Sequence, residues 1–89
     1  MRNRLQRNLE KAMTLVGQGR FAEARPLVVD LARKAPKHPL VWNLLGVIAA
    51  SDDDHEKAVG YFKKARALAP RDEDFQNNLG EAYRKSGRP

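Results

Sequence analysis

The chain has 89 residues, 17 of them Lys or Arg and 11 Asp or Glu, for a formal net charge of +6. A chain of this length buries roughly 60–65% of its unfolded surface, so it has one modest core. The absence of cysteine excludes disulfides and thiolate metal sites, and no apolar run approaches the roughly 18–20 residues of a membrane span.

The first 18 residues lack the apolar centre of a signal peptide, so the expectation is a soluble cytoplasmic module. Leu5, Leu9, Ala12, Met13, Leu15 and Val16 recur at three-four spacing and predict a helix from about Asn3 to Gln18. Gly17-Gln18-Gly19 stops it, because glycine readily takes the positive φ of a helix C-terminus. The basic start contains Arg2, Arg4 and Arg7. Residues 1–37 hold nine Lys/Arg against three Asp/Glu, whereas residues 38–89 hold eight of each. Such an end could attract nucleic acid or an anionic surface. A solvated first turn is the plainer reading, since Phe21 is the only aromatic before Trp42 and no RNA-binding signature lies near.

The second helix is expected from Phe21 to about Lys34, with Pro26 removing one hydrogen bond or shifting the start. Lys34 and Lys37 suit the negative end of its dipole. His38-Pro39 opens a third helix, with Pro39 in the first turn, where its missing N–H costs nothing. Val41, Leu44, Leu45, Ile48 and Ala49 mark the apolar face of that helix. Asp53 or Asp54 can cap a fourth helix, and if Asp53 is the cap, Glu56 completes a capping box. Ala58, Val59, Phe62, Ala65 and Leu68 are the expected buried face of that helix, which Pro70 ends. Asp72 caps a fifth, with apolar Phe75, Leu79, Ala82 and Tyr83.

These elements repeat at 34 residues. Ala24 precedes Ala58, Leu31 precedes Ala65, Pro36 precedes Pro70 and Ala12 precedes Gly46; Leu79-Gly80 follows Leu45-Gly46; Gly87 falls one period after Asp53 and two after Gly19. A 34-residue helix–turn–helix period is that of the tetratricopeptide repeat. The residues agree: Trp42-x-x-Leu45-Gly46-x-x-Ala49, then Ala58-x-x-x-Phe62-x-x-Ala65, then Pro70. Ala49 departs where the family favours tyrosine, and Leu79-Gly80-x-x-Tyr83 restores it. Lys11 stands where Leu45 and Leu79 stand later, its stem placed to lie over the edge of the stack. The chain thus resembles the tetratricopeptide repeat family over nearly its whole length. The resemblance implies an all-α fold, a right-handed superhelix of five helices in antiparallel hairpins. One domain would span residues 1–89, with repeats at 5–38 and 39–72 and the first helix of a third at 73–86. The polar last helix could cap the stack, but the turn begun at Gly87-Arg88-Pro89 favours an excised piece of a longer protein.

No catalytic constellation stands out. His38 and His55 lie at separate helix starts without a third ligand, and Asp52-Asp53-Asp54 lacks the alternation of a calcium loop. Ser51 and Ser86 have no nucleophile elbow, and Gly17-Gln18-Gly19 lacks a nucleotide-loop context. We therefore expect no enzyme, no cofactor and no metal.

The family resemblance further implies that first-helix residues of each hairpin line a concave groove. Gln6, Leu9, Glu10, Met13 and Val16, then Leu40, Asn43, Leu44 and Val47, then Asp74, Asn77, Asn78 and Glu81 are its expected floor, apolar towards the N-terminus. A contiguous apolar patch marks a contact site, and an amphipathic helix is the natural ligand. The clamp with which some family members grip chaperone-tail carboxylates does not carry over, because Leu9, Leu44 and Asn78 occupy its positions. The expected function is a protein-interaction module for a partner helix, or for itself. Two alternatives are an accessory N-terminal arm of a larger enzyme such as a glycosyl- or sulfotransferase and, more weakly, nucleic-acid contact through the basic helix. Two and a half repeats fall below the three that make a stack comfortable, so self-association is also expected.

Overall fold

A computed structural model describes residues 3–87. Arg2, Arg88 and Pro89, which the sequence reading singled out, lie outside the described residues. Five helices follow one another, with no strand among the described residues: α1 (Arg4–Gly17), α2 (Phe21–Lys34), α3 (Pro39–Ser51), α4 (His55–Leu68) and α5 (Glu73–Lys85). Each helix packs on its chain neighbours, α3 and α4 most extensively, and α3 also reaches back to α1. The result is a stack of helical hairpins.

Helix starts follow their capping chemistry. Asn3, Asp54 and Asp72 each accept a hydrogen bond from the backbone N–H three residues on, at Gln6, Lys57 and Phe75. The cap of α4 is therefore Asp54, and the Asp53–Glu56 capping box is not used. Asp53 instead takes φ +60°, between Gly19 at +76° and Gly87 at +80°. One left-handed residue thus recurs every 34 positions, at the turn where a hairpin or its continuation reverses. Pro26 is accommodated inside α2 without displacing the start at Phe21.

The core has two parts. The first joins α1, α2 and α3 through residues such as Leu9, Val28, Leu31 and Leu44. The second joins α3, α4 and α5 through Ala49, Ala58, Phe62, Leu79 and Ala82. Ala24, Ala58 and Ala65 have no exposed surface, because at these crossings two helices approach to alanine thickness. At Gly46 they approach closer still. A Cβ placed there would lie 2.4 Å from a Phe62 ring carbon.

Two expected core positions are open instead. Leu68 is 39% exposed in the last turn of α4, and Met13 is 45% exposed on α1. Lys11 is exposed, lining a shallow hollow with Leu15 and Leu27.

The 34-residue equivalence extends to side-chain hydrogen bonds. Trp42 Nε1 donates to the Pro36 carbonyl at 2.7 Å, and Gln76 Nε2 donates to the Pro70 carbonyl at 2.6 Å. Trp42 is half-buried, stacked on Tyr61 at 6.2 Å, with Lys64 Nζ 4.2 Å from its ring centroid. Trp42 thereby ties the α2–α3 turn to α4, a task for which its N–H, flat face and size are all used.

Candidate functional site

The groove residues expected from sequence divide into three groups. Leu9 and Leu44 are each only 5% exposed and belong to the first core cluster. They correct the expected floor: α1 packs on α3 as well as on α2, so the apolar flanks that these two helices turn towards each other close into a seam. Val16 and Leu40 are half-buried against the same cluster. Met13, Asn77 and Glu81 are exposed.

The remaining three, Asn43, Val47 and Asn78, come together with Glu81 where α3 meets α5. Asn78 Nδ2 donates to Asn43 Oδ1 at 2.9 Å, a bridge between side chains 35 residues apart. Asn78 is therefore not the isolated rung that the sequence suggested. Beside this bridge lies a pocket of about 140 Å³. Val47, Ala50, Phe62 and Ala82 form its apolar part; His55, Asn78, Glu81 and Lys85 supply its polar groups. A hollow of about this volume accepts a group as large as benzene.

Each element positions its contribution for a local reason. Val47 and Ala50 lie one turn apart on α3, and Asn78, Glu81, Ala82 and Lys85 follow the same three-four spacing on α5. Glu81 pairs with Arg84 and, at 3.6 Å, with Lys85, which holds a carboxylate and an ammonium side by side at the pocket. His55 stands in the first turn of α4, its Nδ1 buried without a hydrogen-bond partner and its Nε2 3.7 Å from Asp53. Ala50 was within reach of sequence reasoning, being three residues after Val47. His55, Ala82 and Lys85 were not, because they join the site only when α4 and α5 fold onto α3.

Two larger hollows lie between other helices and contain none of the expected groove residues. One, of about 310 Å³, is rimmed by Arg25, Asp52, Asp54 and Lys57; the Arg25–Asp52 ion pair ties α2 to the α3–α4 turn beside it. The other is the open furrow at Lys11 and Arg20. Arg4 and Arg7 are exposed on α1. Among the described residues no group of three His, Cys, Asp or Glu side chains is placed to hold a metal ion, and no helix is long and apolar enough to cross a membrane.

The pocket offers shape, a few apolar atoms and a mixed-charge edge, but no nucleophile paired with a base. That is the chemistry of recognition. No curated protein matches the chain. A family model described as tetratricopeptide repeat matches residues 9–73, which contain both full hairpins and the start of α5. The signature residues Leu45, Gly46, Ala58, Phe62 and Ala65 are all buried in those hairpins. On these grounds the chain belongs to the tetratricopeptide repeat family.

Proposed function

We propose that the chain is a protein-interaction module that takes an amphipathic partner helix across the face shared by α3 and α5, with one apolar anchor in the Val47 pocket. Repeats of this family generally mediate protein–protein interaction. The observation that carries the finer reading is the pocket itself: an apolar hollow with Asn78, Glu81 and Lys85 beside it, between two helices of successive repeats. An anchor side chain would bury there while those polar groups set orientation, the usual division of labour at a small recognition site. Exposed Met13 extends the apolar surface on α1 for a longer ligand.

Panning a library of displayed helical peptides against the chain tests this reading. Enriched peptides should share apolar anchors at i, i+3 or i+4 spacing. Their binding should fall by at least about tenfold, roughly 1.4 kcal/mol, in Val47→Asp and in the exposed-site variant Glu81→Lys, with helical circular dichroism near wild type. Peptides whose affinity is untouched by both changes would place recognition elsewhere. Leu44 and Leu9 are unsuitable for this test, because replacing either would open the core.

A further inference from the structure

We infer that the outward face of α5 is a second docking surface, which receives a partner helix built on α4's own spacing: an aromatic ring with alanine-sized residues four before it and three after. The inference rests on one register comparison. Gly46 and Gly80 stand 34 residues apart, at the same place in α3 and α5. At Gly46 the missing side chain is filled by the Phe62 ring, whose carbons would lie 2.4, 2.5 and 2.8 Å from a Cβ. At Gly80 nothing lies within 4 Å, and the residue is exposed. Glycine inside a helix costs roughly 0.5–1 kcal/mol relative to alanine. In α3 that cost is offset by close packing; in α5 no contact within the chain offsets it.

An exposed glycine alone would mean little, since Gly60 in α4 is open too. Gly80 differs because its surroundings also copy the covered site. Gln76 repeats the Trp42 hydrogen bond to a proline carbonyl. Tyr83, at the position of buried Ala49, is only half-covered. The α3 face that holds α4 therefore continues one period on as a face of α5, with its notch unfilled. The copy also specifies the occupant. In the covered site the filler is Phe62, between Ala58 and Ala65, both without exposed surface. Lys64 of the same helix lies over Trp42; its equivalent would meet Gln76, with acidic Glu73 one turn before it. An aromatic, alanine-flanked and basic helix fits both the shape and the charge of this face. The surface is distinct from the Val47 pocket, so the two readings stand or fall separately.

The test titrates the isotope-labelled chain with a synthetic peptide of residues 54–69, held helical by a hydrocarbon staple between positions 63 and 67, both exposed in α4. The backbone amides of Gln76, Gly80, Tyr83 and Arg84 should shift and saturate by about 1 mM peptide. The Phe62→Ala peptide should bind at least about tenfold more weakly, and Gly80→Leu in the chain should abolish the shifts while leaving helicity intact. Absence of α5 shifts with the stapled peptide would overturn the inference, as would shifts that survive Gly80→Leu. Shifts centred on Val47 and Asn78 would assign the peptide to the other face and overturn it equally. If α5 amides move with chain concentration when no peptide is present, a second copy, not a partner helix, occupies the face.

Discussion

Helices α3 and α5 are two copies of one pattern in two environments. In α3, Val41, Leu44, Leu45, Gly46, Ile48 and Ala49 are buried. In α5, the equivalents of three of these, Phe75, Leu79 and Ala82, are buried; Asn78 and Tyr83 are half-covered and Gly80 is open. The difference follows from position. Helix α3 is enclosed by α2 and α4 and touches α1, whereas among the described elements α5 packs mainly on α4. Identical sequence signals thus carry different energies. The glycine that lets Phe62 approach α3 is, one period later, a gap in a helix surface.

The largest expected effect comes from treating the two glycines alike. Gly46→Ala should destabilise by about 1–3 kcal/mol, because the new methyl must displace the Phe62 ring. Gly80→Ala should stabilise by roughly 0.5–1 kcal/mol, gaining helix propensity without a clash. Urea or thermal melts, where 1 kcal/mol is about 4–8 °C for a domain of this size, would separate the two signs. Equal shifts in both variants would refute the packing account of Gly46.

A smaller change sharpens the same comparison at the turns. Asp53 holds φ +60° where Gly19 and Gly87 stand in the equivalent places. Asp53→Gly should gain up to about 0.5–1 kcal/mol by relieving the left-handed strain, less the backbone freedom glycine adds to the unfolded chain. A lower melting temperature would show that Asp53 contributes more through its charge, near His55, than it costs in strain.

The smallest effect concerns Asp30. Hydrogen bonds from Lys34 and Arg33 hold its carboxyl below the usual carboxylate value of 3.8. A lowered folded-state value means that Asp30 adds stability that is complete above pH 3.8 and is lost as the pH falls through the folded value. The pair is at the surface, so the contribution is slight. Asp30→Asn should therefore narrow the stability difference between pH 7 and acid, and unfolding curves that respond to pH as the parent does would remove the role assigned to the pair.

Much of the fold was legible from the chain because the information is local and periodic. Proline, glycine and acidic caps mark the helix ends: Asn3, Pro39 and Asp72 stand where expected. The site was legible only in part. Val47, Asn78 and Glu81 were in the expected groove, but Leu9 and Leu44 shared its periodicity and went into the core. Periodicity reports which flank of a helix is apolar. It does not say whether the next repeat presses against that flank or leaves it open.

Taken by itself, the sequence determined five helices, their ends, the 34-residue register and the membership those imply, since each depends on neighbouring residues and on spacing. Only the tertiary structure decided that Asn43 meets Asn78, that His55 and Lys85 join Val47, and that Gly46 is filled while Gly80 is empty. These outcomes depend on which helix lies against which, and two residues of the same type, one period apart, differ only in that.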